Sequence, residues 1–254
     1  MDDFCLPFGH ASTRSYIHTS MTATSIHQHL DALGDPEKAA HAQRFFKTGP
    51  GQYGEGDIFV GIRVPVLRRL AKEYQALSLA ETTALLHSPI HEARLLALLI
   101  LVRKYAKGDA ATRKTIYDLY LKNTRWINNW DLVDVTTPHI VGKFLMDRSR
   151  EPLYRLARSS SLWERRIAII TTFEFIRHDQ FEDTLAIAET LLHDKEDLIH
   201  KAVGWMLREV GKRNLDAEEG FLHQHYRTMP RTMLRYAIEK FPEPKRQAYL
   251  KGEV

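Results

Sequence analysis

Residues 128–134 hold the side chains best suited to chemistry in this sequence. Trp130 and Asp134 lie four residues apart, so they share one face of a helix. A tryptophan paired in this way with a carboxylate, beside the bend expected at Pro138, marks a candidate functional site. Asn128 is predicted to cap this helix, with Asp131 close to its first exposed amides, where a carboxylate favours the helix start. Asp134 lies beyond that range and is therefore the candidate catalytic group.

A repeat relates the long helical segments of the chain. Small or tightly packed residues recur at spacings of 36, 35, 36 and 33 positions, namely Ala97, Val133, Ala168, Gly204 and Ala237. Such a period, with two helices per unit, is typical of an α-solenoid of HEAT or armadillo type. Units of this kind bury their faces against their neighbours, and the curved stack has one long concave surface. The sequence therefore predicts an all-α, HEAT-like solenoid.

The repeat frame places further side chains near Trp130 and Asp134. Trp205 takes the position of Asp134, and Arg165, with Arg166 beside it, takes the position of Trp130. Two tryptophans, arginine and a carboxylate are thus expected to converge on the concave face. The residues three positions before the first four repeat positions are Arg94, Trp130, Arg165 and Lys201. Singly, each of these residue types is more often core packing or a solvated helix face, so the interpretation depends on their combination.

Other kinds of site find no support in the sequence. Cys5 is the single cysteine, which excludes an internal disulfide framework and a cysteine-rich zinc site. His87 and His91 straddle a predicted helix start and do not share one helix face, so they form no zinc motif. The glycines near residue 50 do not fit a nucleotide-binding spacing. We therefore expect no metal and no small-molecule cofactor.

The elements that must position these residues are helices, because apolar residues recur at three and four positions and no sustained alternation favours a sheet. Predicted helices span residues 22–33, 36–47, 65–76, 79–87, 89–106, 110–122, 129–146, 151–159, 162–177, 181–193, 196–213, 217–228 and 231–241. The predicted start signals are Asp35 with Pro36, Ser88 with Pro89, and the capping boxes Ser78 with Glu81 and Ser161 with Glu164. Pro138 cannot donate to the carbonyl of Asp134 and should kink the helix there.

The remaining segments set the domain organisation. Residues 48–61 contain five glycines and a proline and are predicted to form a loop or short hairpin. Residues 1–20 lack helical periodicity and are expected to be a poorly ordered leader. Residues 21–254 are then a single solenoid domain, and translation could start at Met1 or Met21.

The formal net charge of +4 is unevenly distributed along the chain. Residues 61–127 carry 12 Lys or Arg against 5 Asp or Glu, whereas residues 1–60 carry 4 against 7. This segment could present a basic surface to phosphates, or simply ordinary solvated helix faces. No apolar run approaches a membrane span, and we expect a cytoplasmic monomer without a membrane partner.

Four ordered blocks of the chain resemble the AlkD-type DNA alkylation repair glycosylases. They are FVGIRVP (59–65), NWDLVD (129–134) with Pro138, LWERRIA (162–168) and KAVGWMLRE (201–209). The resemblance covers nearly everything from Asp35 to Phe241. It implies excision of N3- and N7-alkylated purines from double-stranded DNA held against the concave face without a deep base pocket.

The resemblance also implies roles for individual residues. Trp130 and Trp205 match the lesion-facing tryptophans, Asp134 matches the catalytic carboxylate, and Arg166 matches an arginine that binds the DNA backbone. An alkylated purine already carries positive charge and leaves without a general acid. The carboxylate would then stabilise the charge that develops on the deoxyribose and position the attacking water. The repeat frame adds further candidate DNA contacts, which are Arg165, Lys201 and Arg94.

Two other functions remain compatible with the sequence. A noncatalytic solenoid could use its basic face and the glycine-rich loop to bind bent or branched DNA, with steep salt dependence and no base release. A protein-binding scaffold is the commonest use of such folds in general and would show no affinity for DNA at moderate salt.

Overall fold

Helices follow one another from Ala23 to Lys251 in the computed structural model, which describes residues 21–254. Their bounds are α1 (Ala23–Leu33), α2 (Pro36–Phe45), α3 (Val64–Glu73), α4 (Leu79–Leu86), α5 (His91–Lys107), α6 (Ala110–Lys122), α7 (Trp130–Asp134), α8 (Lys143–Leu145), α9 (Glu151–Ala157), α10 (Leu162–Ile176), α11 (Glu182–Thr190), α12 (Asp197–Gly211), α13 (Leu215–His225), α14 (Arg231–Ala237) and α15 (Glu243–Lys251). Residues 21–254 contain no strand, only an isolated bridge between Ile58 and Ile90. The all-helical prediction is confirmed. The predicted leader lies outside the described residues.

Five helices form a row in which each contacts the next, from α5 through α7, α10 and α12 to α14. Other helices pack on this row, with α4 and α6 on α5, α9 and α11 on α10, and α13 on α12. The alanine and valine repeat positions have no exposed surface, namely Ala97, Val133, Ala168 and Ala237. A Cβ at Gly204 would lie 2.4 Å from the carbonyl oxygen of Met233 and 2.5 Å from Cβ of Tyr236. Glycine is therefore required for the close approach of α12 and α14.

The helix predicted over residues 129–146 is interrupted, as Pro138 led us to expect. α7 ends at Asp134, and the chain continues as a π-helical segment over Pro138–Gly142 before α8. Tyr120 stabilises the break, because its buried hydroxyl hydrogen-bonds to Thr136 at 2.9 Å and to Thr137 at 2.6 Å. It places Asp134 at the end of a short helix.

Some predicted helix starts are confirmed and others are wrong. Asp35 caps α2, since its carboxylate accepts from the amides of Glu37 and Lys38 at 3.1 Å. Ser78 caps α4 by accepting from the amide of Glu81 at 3.1 Å. The reciprocal half of that capping box is missing, because the Glu81 carboxylate accepts from the amide of Ala23 instead.

The other start signals were wrong in part. α10 begins at Leu162 with Ser161 as its N-cap, as predicted, but the capping box is absent: the Ser161 side chain makes no capping hydrogen bond, and Glu164 accepts from the hydroxyls of Ser159 and Thr124. α5 begins at His91 and not at Pro89. The cap of α7 is Asn129 and not Asn128, since the Asn129 side chain accepts from the amide of Trp130 at 2.8 Å.

Residues 48–61 form a loop of turns and not a hairpin. Its end is fixed by the buried carboxylate of Glu92, which accepts from the amides of residues 60, 61 and 62 at 2.8 to 3.2 Å. Gly61 has a φ of +86°, and a Cβ there would lie 2.2 Å from the carbonyl oxygen of Asp35. The loop therefore leaves α2 and returns to α3 along a defined path.

The described helices share one continuous apolar core, which extends from Ala23 to Tyr249. Within residues 21–254, no helix is both long and apolar enough to cross a membrane.

Candidate nucleic-acid interface

A cleft of about 610 Å³ opens beside the row of helices from α5 to α14, and we call it the tryptophan cleft. Its lining residues are Phe45, Lys47, Tyr53, Trp130, Arg166, Glu196, Asp197, Leu198, Lys201, Trp205, Arg208 and Tyr236. The cleft brings together Trp130, Trp205, Arg166 and Lys201, whereas Asp134, which the repeat frame also placed with them, is not among the lining residues. One wall is supplied by the end of α2 and the glycine-rich loop, and the other by α12 and α14.

Trp130 is held on several sides by residues that flank or belong to the glycine-rich loop. Phe46 stacks on its indole with ring centroids 5.2 Å apart and an angle of 20° between the planes. Phe45 approaches edge-on at 6.0 Å. The indole N–H donates to the hydroxyl of Tyr53 at 3.3 Å. Since Phe46 covers one face, the other face of Trp130 is the one available to a ligand in the cleft.

Trp205 lies on α12 in the same cleft. Its indole N–H donates to Oε1 of Glu209 at 3.1 Å, and its ring lies 5.9 Å from that of Phe173. Both contacts come from the protein side and fix the orientation of the ring. Two half-buried indoles on different helices therefore contribute to one surface.

Asp134 forms a bidentate ion pair with Arg166, which is a residue of the cleft lining. Nε and Nη2 of Arg166 donate to the two carboxylate oxygens of Asp134, each at 2.8 Å, and Nη1 donates to the carbonyl of Leu198. Burial raises the pKa of Asp134 above its usual value, and the adjacent Arg166 charge opposes that rise. The side chains of Arg166 and Asp134 are only 6% and 14% exposed.

The predicted DNA-contacting residues have different environments. Lys201 lines the cleft and pairs with Asp197 at 2.7 Å, and Arg165 pairs with Asp194 at 2.6 Å outside the cleft lining. Arg94 is only 3% exposed and donates to the carboxylate of Asp57. The placement of Arg94 argues against the predicted DNA contact, because its guanidinium is occupied within the core.

Sequence comparison identifies the group of proteins to which this architecture corresponds. The family model described as DNA alkylation repair enzyme matches residues 26–241. The chain belongs to this family. A solved structure, described as a predicted DNA alkylation repair enzyme from Enterococcus faecalis, matches with a TM-score of 0.64 and 17% sequence identity. The match covers 83% of this chain and 97% of that chain, and at this identity it establishes the fold. No curated protein sequence matches.

In this member of the DNA alkylation repair family, a buried network fixes the helix that carries Trp130, and the sequence analysis missed it. Nδ1 of His91 hydrogen-bonds to Asp57 at 2.9 Å and Nε2 hydrogen-bonds to Asp131 at 2.8 Å. The side-chain amide of Asn129 also donates to Asp57, at 3.2 Å. Asp131 accepts from the amide of Leu132 as well, so it has the structural role that its first-turn position suggested.

The network is held together by charge. Burial alone would lower the pKa of His91, but the carboxylates of Asp131 and Asp57 raise it to about 9. Burial alone would raise the pKa of Asp57, but His91 and Arg94 hold it below its usual value. His91 is therefore cationic at neutral pH and ties the glycine-rich loop to α7. No group of three or more metal-ligating side chains is placed to hold an ion within the described residues.

Proposed function

We propose that this protein is a DNA N-glycosylase that removes cationic N3- and N7-alkylated purines from duplex DNA. The observation that carries the proposal is the meeting of Trp130, Trp205 and Arg166 in one cleft, with the Asp134 carboxylate bound to Arg166. Membership of the DNA alkylation repair family supports it.

The site suits a leaving group that is already charged. Breaking the bond between C1′ and the base nitrogen sends the electron pair to the purine, which leaves as a neutral base without a proton donor. Indole faces attract such a cation by about 0.5 to 2 kcal/mol, depending on desolvation. Trp130 and Trp205 therefore favour an alkylated purine and its sugar over an uncharged nucleotide.

Asp134 is assigned to the charge that remains on the sugar. A carboxylate near the deoxyribose stabilises the developing oxocarbenium ion, and the attacking water delivers its oxygen to C1′ and releases a proton. The ionised form of Asp134 is the one that acts. Arg166 favours that form against the effect of burial. We therefore propose that its main role is to keep Asp134 ionised, and that its contact with a backbone phosphate is secondary.

Duplex DNA is the proposed partner, bound by a monomer. The cations that line the cleft come from three separate elements, since Lys47 follows α2, Arg166 lies on α10, and Lys201 and Arg208 lie on α12. Phosphate contacts of this kind fix the position of a duplex and carry no sequence information. The proposed substrate is defined by its charge and not by its surrounding sequence.

The deciding experiment measures release of N7-methylguanine and N3-methyladenine from methylated duplex DNA. We expect release by the wild-type protein and a loss of roughly 100-fold or more in Asp134→Asn, with DNA binding retained. Asp118→Asn, an exposed carboxylate on α6, is the matched control and should release base normally. A wild-type protein that releases no base from this DNA excludes the proposal.

A second candidate function is noncatalytic binding of bent or branched DNA. It is favoured by one observation, that both carboxylate oxygens of Asp134 accept hydrogen bonds from Arg166. A binder of this kind would hold the duplex with a steep dependence on salt and leave alkylated bases in place. The same assay therefore distinguishes the two functions.

A further inference from the structure

A second cavity, of about 300 Å³, lies towards the C-terminal end of the helical row, and we call it the C-terminal pocket. Its lining residues are Arg208, Gly211, Lys212, Leu215, Glu218, Ala237, Lys240, Phe241, Pro242 and Lys245. They come from α12, α13, α14, the turn Ile238–Lys240 and the start of α15. The pocket is therefore assembled by several elements.

The charged side chains that line the pocket are unequal in sign. Four are basic, Arg208, Lys212, Lys240 and Lys245, and only Glu218 is acidic. Convergence of several cations on one small cavity is the arrangement that recognises phosphate and other oxyanions. The rest of the lining is mainly apolar and strengthens electrostatic attraction by lowering the local dielectric.

Two buried polar atoms at the pocket have no hydrogen-bond partner within residues 21–254. They are Oε1 of Glu218, a residue that is 2% exposed, and Nε of Arg208. The Glu218 side chain occupies the space next to Gly211, where a Cβ would lie 1.6 Å from Oε2. A buried polar atom without a partner is costly, so the pair points to a ligand that would satisfy both.

The protonation of Glu218 fits an anionic ligand. Burial and the neighbouring Glu219 raise the pKa of Glu218 to about 8, against the opposing charges of Arg208 and Lys245. At neutral pH most of this carboxyl group is protonated. Its O–H can then donate a hydrogen bond to an oxyanion and does not repel it.

Each of the four cations also pairs with a carboxylate outside the pocket lining. Lys212 contacts Glu209 at 2.6 Å and Lys240 contacts Glu239 at 3.0 Å. The other pairs are Arg208 with Glu239 and Lys245 with Glu219. The three lysine side chains are 40% to 61% exposed, and pairs made by such exposed cations are worth about 0 to 1 kcal/mol, so an anion in the pocket can compete for the lysines.

We propose that the C-terminal pocket binds a phosphate group. The phosphate belongs either to a small free phosphate compound or to the backbone of a duplex. The second source is supported by Arg208, which lines both this pocket and the tryptophan cleft. The proposal goes beyond base excision and does not depend on it.

The test uses the full chain and the variants Lys245→Gln and Lys240→Gln. Lys251→Gln, on the same helix as Lys245 but outside the pocket, is the matched control. Titration calorimetry with inorganic phosphate at pH 7 measures the first source. Affinity for an undamaged duplex as a function of salt measures the second, and circular dichroism melts confirm that each variant folds.

Three outcomes are distinguished. Phosphate binding that weakens about tenfold in both pocket variants and not in the control supports a free phosphate ligand. Duplex binding whose salt slope falls by about 0.9 in the pocket variants, without binding of inorganic phosphate, supports a backbone phosphate. Wild-type behaviour of both pocket variants in both titrations overturns the proposal. Base release is not measured here, so failure of the glycosylase assay leaves this test unaffected.

Discussion

At the scale of single residues, the pair formed by Asp134 and Arg166 governs the chemistry of the proposed site. The carboxylate is buried, which favours its protonated form, and the guanidinium beside it favours the ionised form. The balance between these two effects sets the pH at which the carboxylate can act.

The pH dependence of base release should therefore respond to Arg166. Because ionised Asp134 is required, kcat/KM falls as the pH drops through the pKa of Asp134, which lies above its usual value. Arg166→Gln removes the opposing charge, so we expect this acidic limb to move to higher pH. Arg166→Lys, which retains the charge, should move it less. If Arg166 acted only on DNA phosphates, the glutamine variant would weaken binding at every pH and leave the limb in place.

The sequence predicted this site better than it predicted the support around it. Trp130, Trp205 and Arg166 could be placed together because all three lie in register with a repeat on neighbouring helices. The contact of His91 with Asp57 and Asp131 joins residues 34 and 40 positions apart. The three residues belong to a loop and two different helices, so no pattern within one element points to their contact.

At the scale of helices, the close contact of α12 with α14 depends on Gly204. Contacts of this kind hold together the row of helices from α5 to α14. The contact of α12 with α14 leaves no room for a side chain at position 204. The tryptophan cleft adjoins this contact, since Trp205 follows Gly204 in α12 and Tyr236 belongs to α14.

Gly204→Ala should destabilise the protein by about 1 to 3 kcal/mol, because the added methyl group forces α12 and α14 apart. Gly220→Ala, in α13, is the matched control, since a Cβ there meets nothing within 4 Å. That variant should be neutral or more stable by up to about 1 kcal/mol, as alanine favours the helix. Urea unfolding of both variants measures the difference. Equal stability would contradict the assigned packing.

α15 was not predicted, because Tyr249 is its only buried residue and no apolar stripe marks it in the sequence. α2 has no buried residue either, but its start signal of Asp35 with Pro36 marks it. The capping patterns at Ser88 and Ser161 failed for a different reason. Ser88 accepts from the amide of Ile90, so α5 begins two residues after Pro89, and Glu164 accepts from the hydroxyl of Ser159 instead of completing a capping box.

At the scale of the whole molecule, the distribution of charge in space differs from its distribution along the chain. Residues 61–127 hold the surplus of basic residues, yet the cations of the tryptophan cleft are Lys47, Lys201, Arg208 and Arg166. Folding brings together single charges from distant elements, and a count over a window of sequence cannot show this.

The stability of the whole protein should fall as the pH rises above neutrality. His91 has a pKa of about 9 in the folded protein and an ordinary value of 6.5, so its contribution is complete below about pH 6.5 and is lost through pH 9. The loss should be about 2 to 3 kcal/mol. Urea unfolding of the wild-type protein and His91→Gln at pH 6, 7.5 and 9 measures it.

Glu218 adds a loss of its own, because its raised pKa of about 8 disfavours the folded state once the unfolded carboxyl ionises above pH 4.5. The quantity to compare is therefore the difference between the wild-type protein and His91→Gln. If this difference in the free energy of unfolding stays constant from pH 6 to 9, the network does not raise the pKa of His91 and the prediction is wrong.

The indoles of the tryptophan cleft also give the protein a built-in optical signal. Two of its four tryptophans, Trp130 and Trp205, line that cleft. Trp130 is fixed by Phe46 and Tyr53, so its fluorescence in the free protein comes from a single defined environment. Occupation of the cleft by a duplex would change the polarity around both rings. Binding can then be followed by intrinsic fluorescence, without any label on protein or DNA.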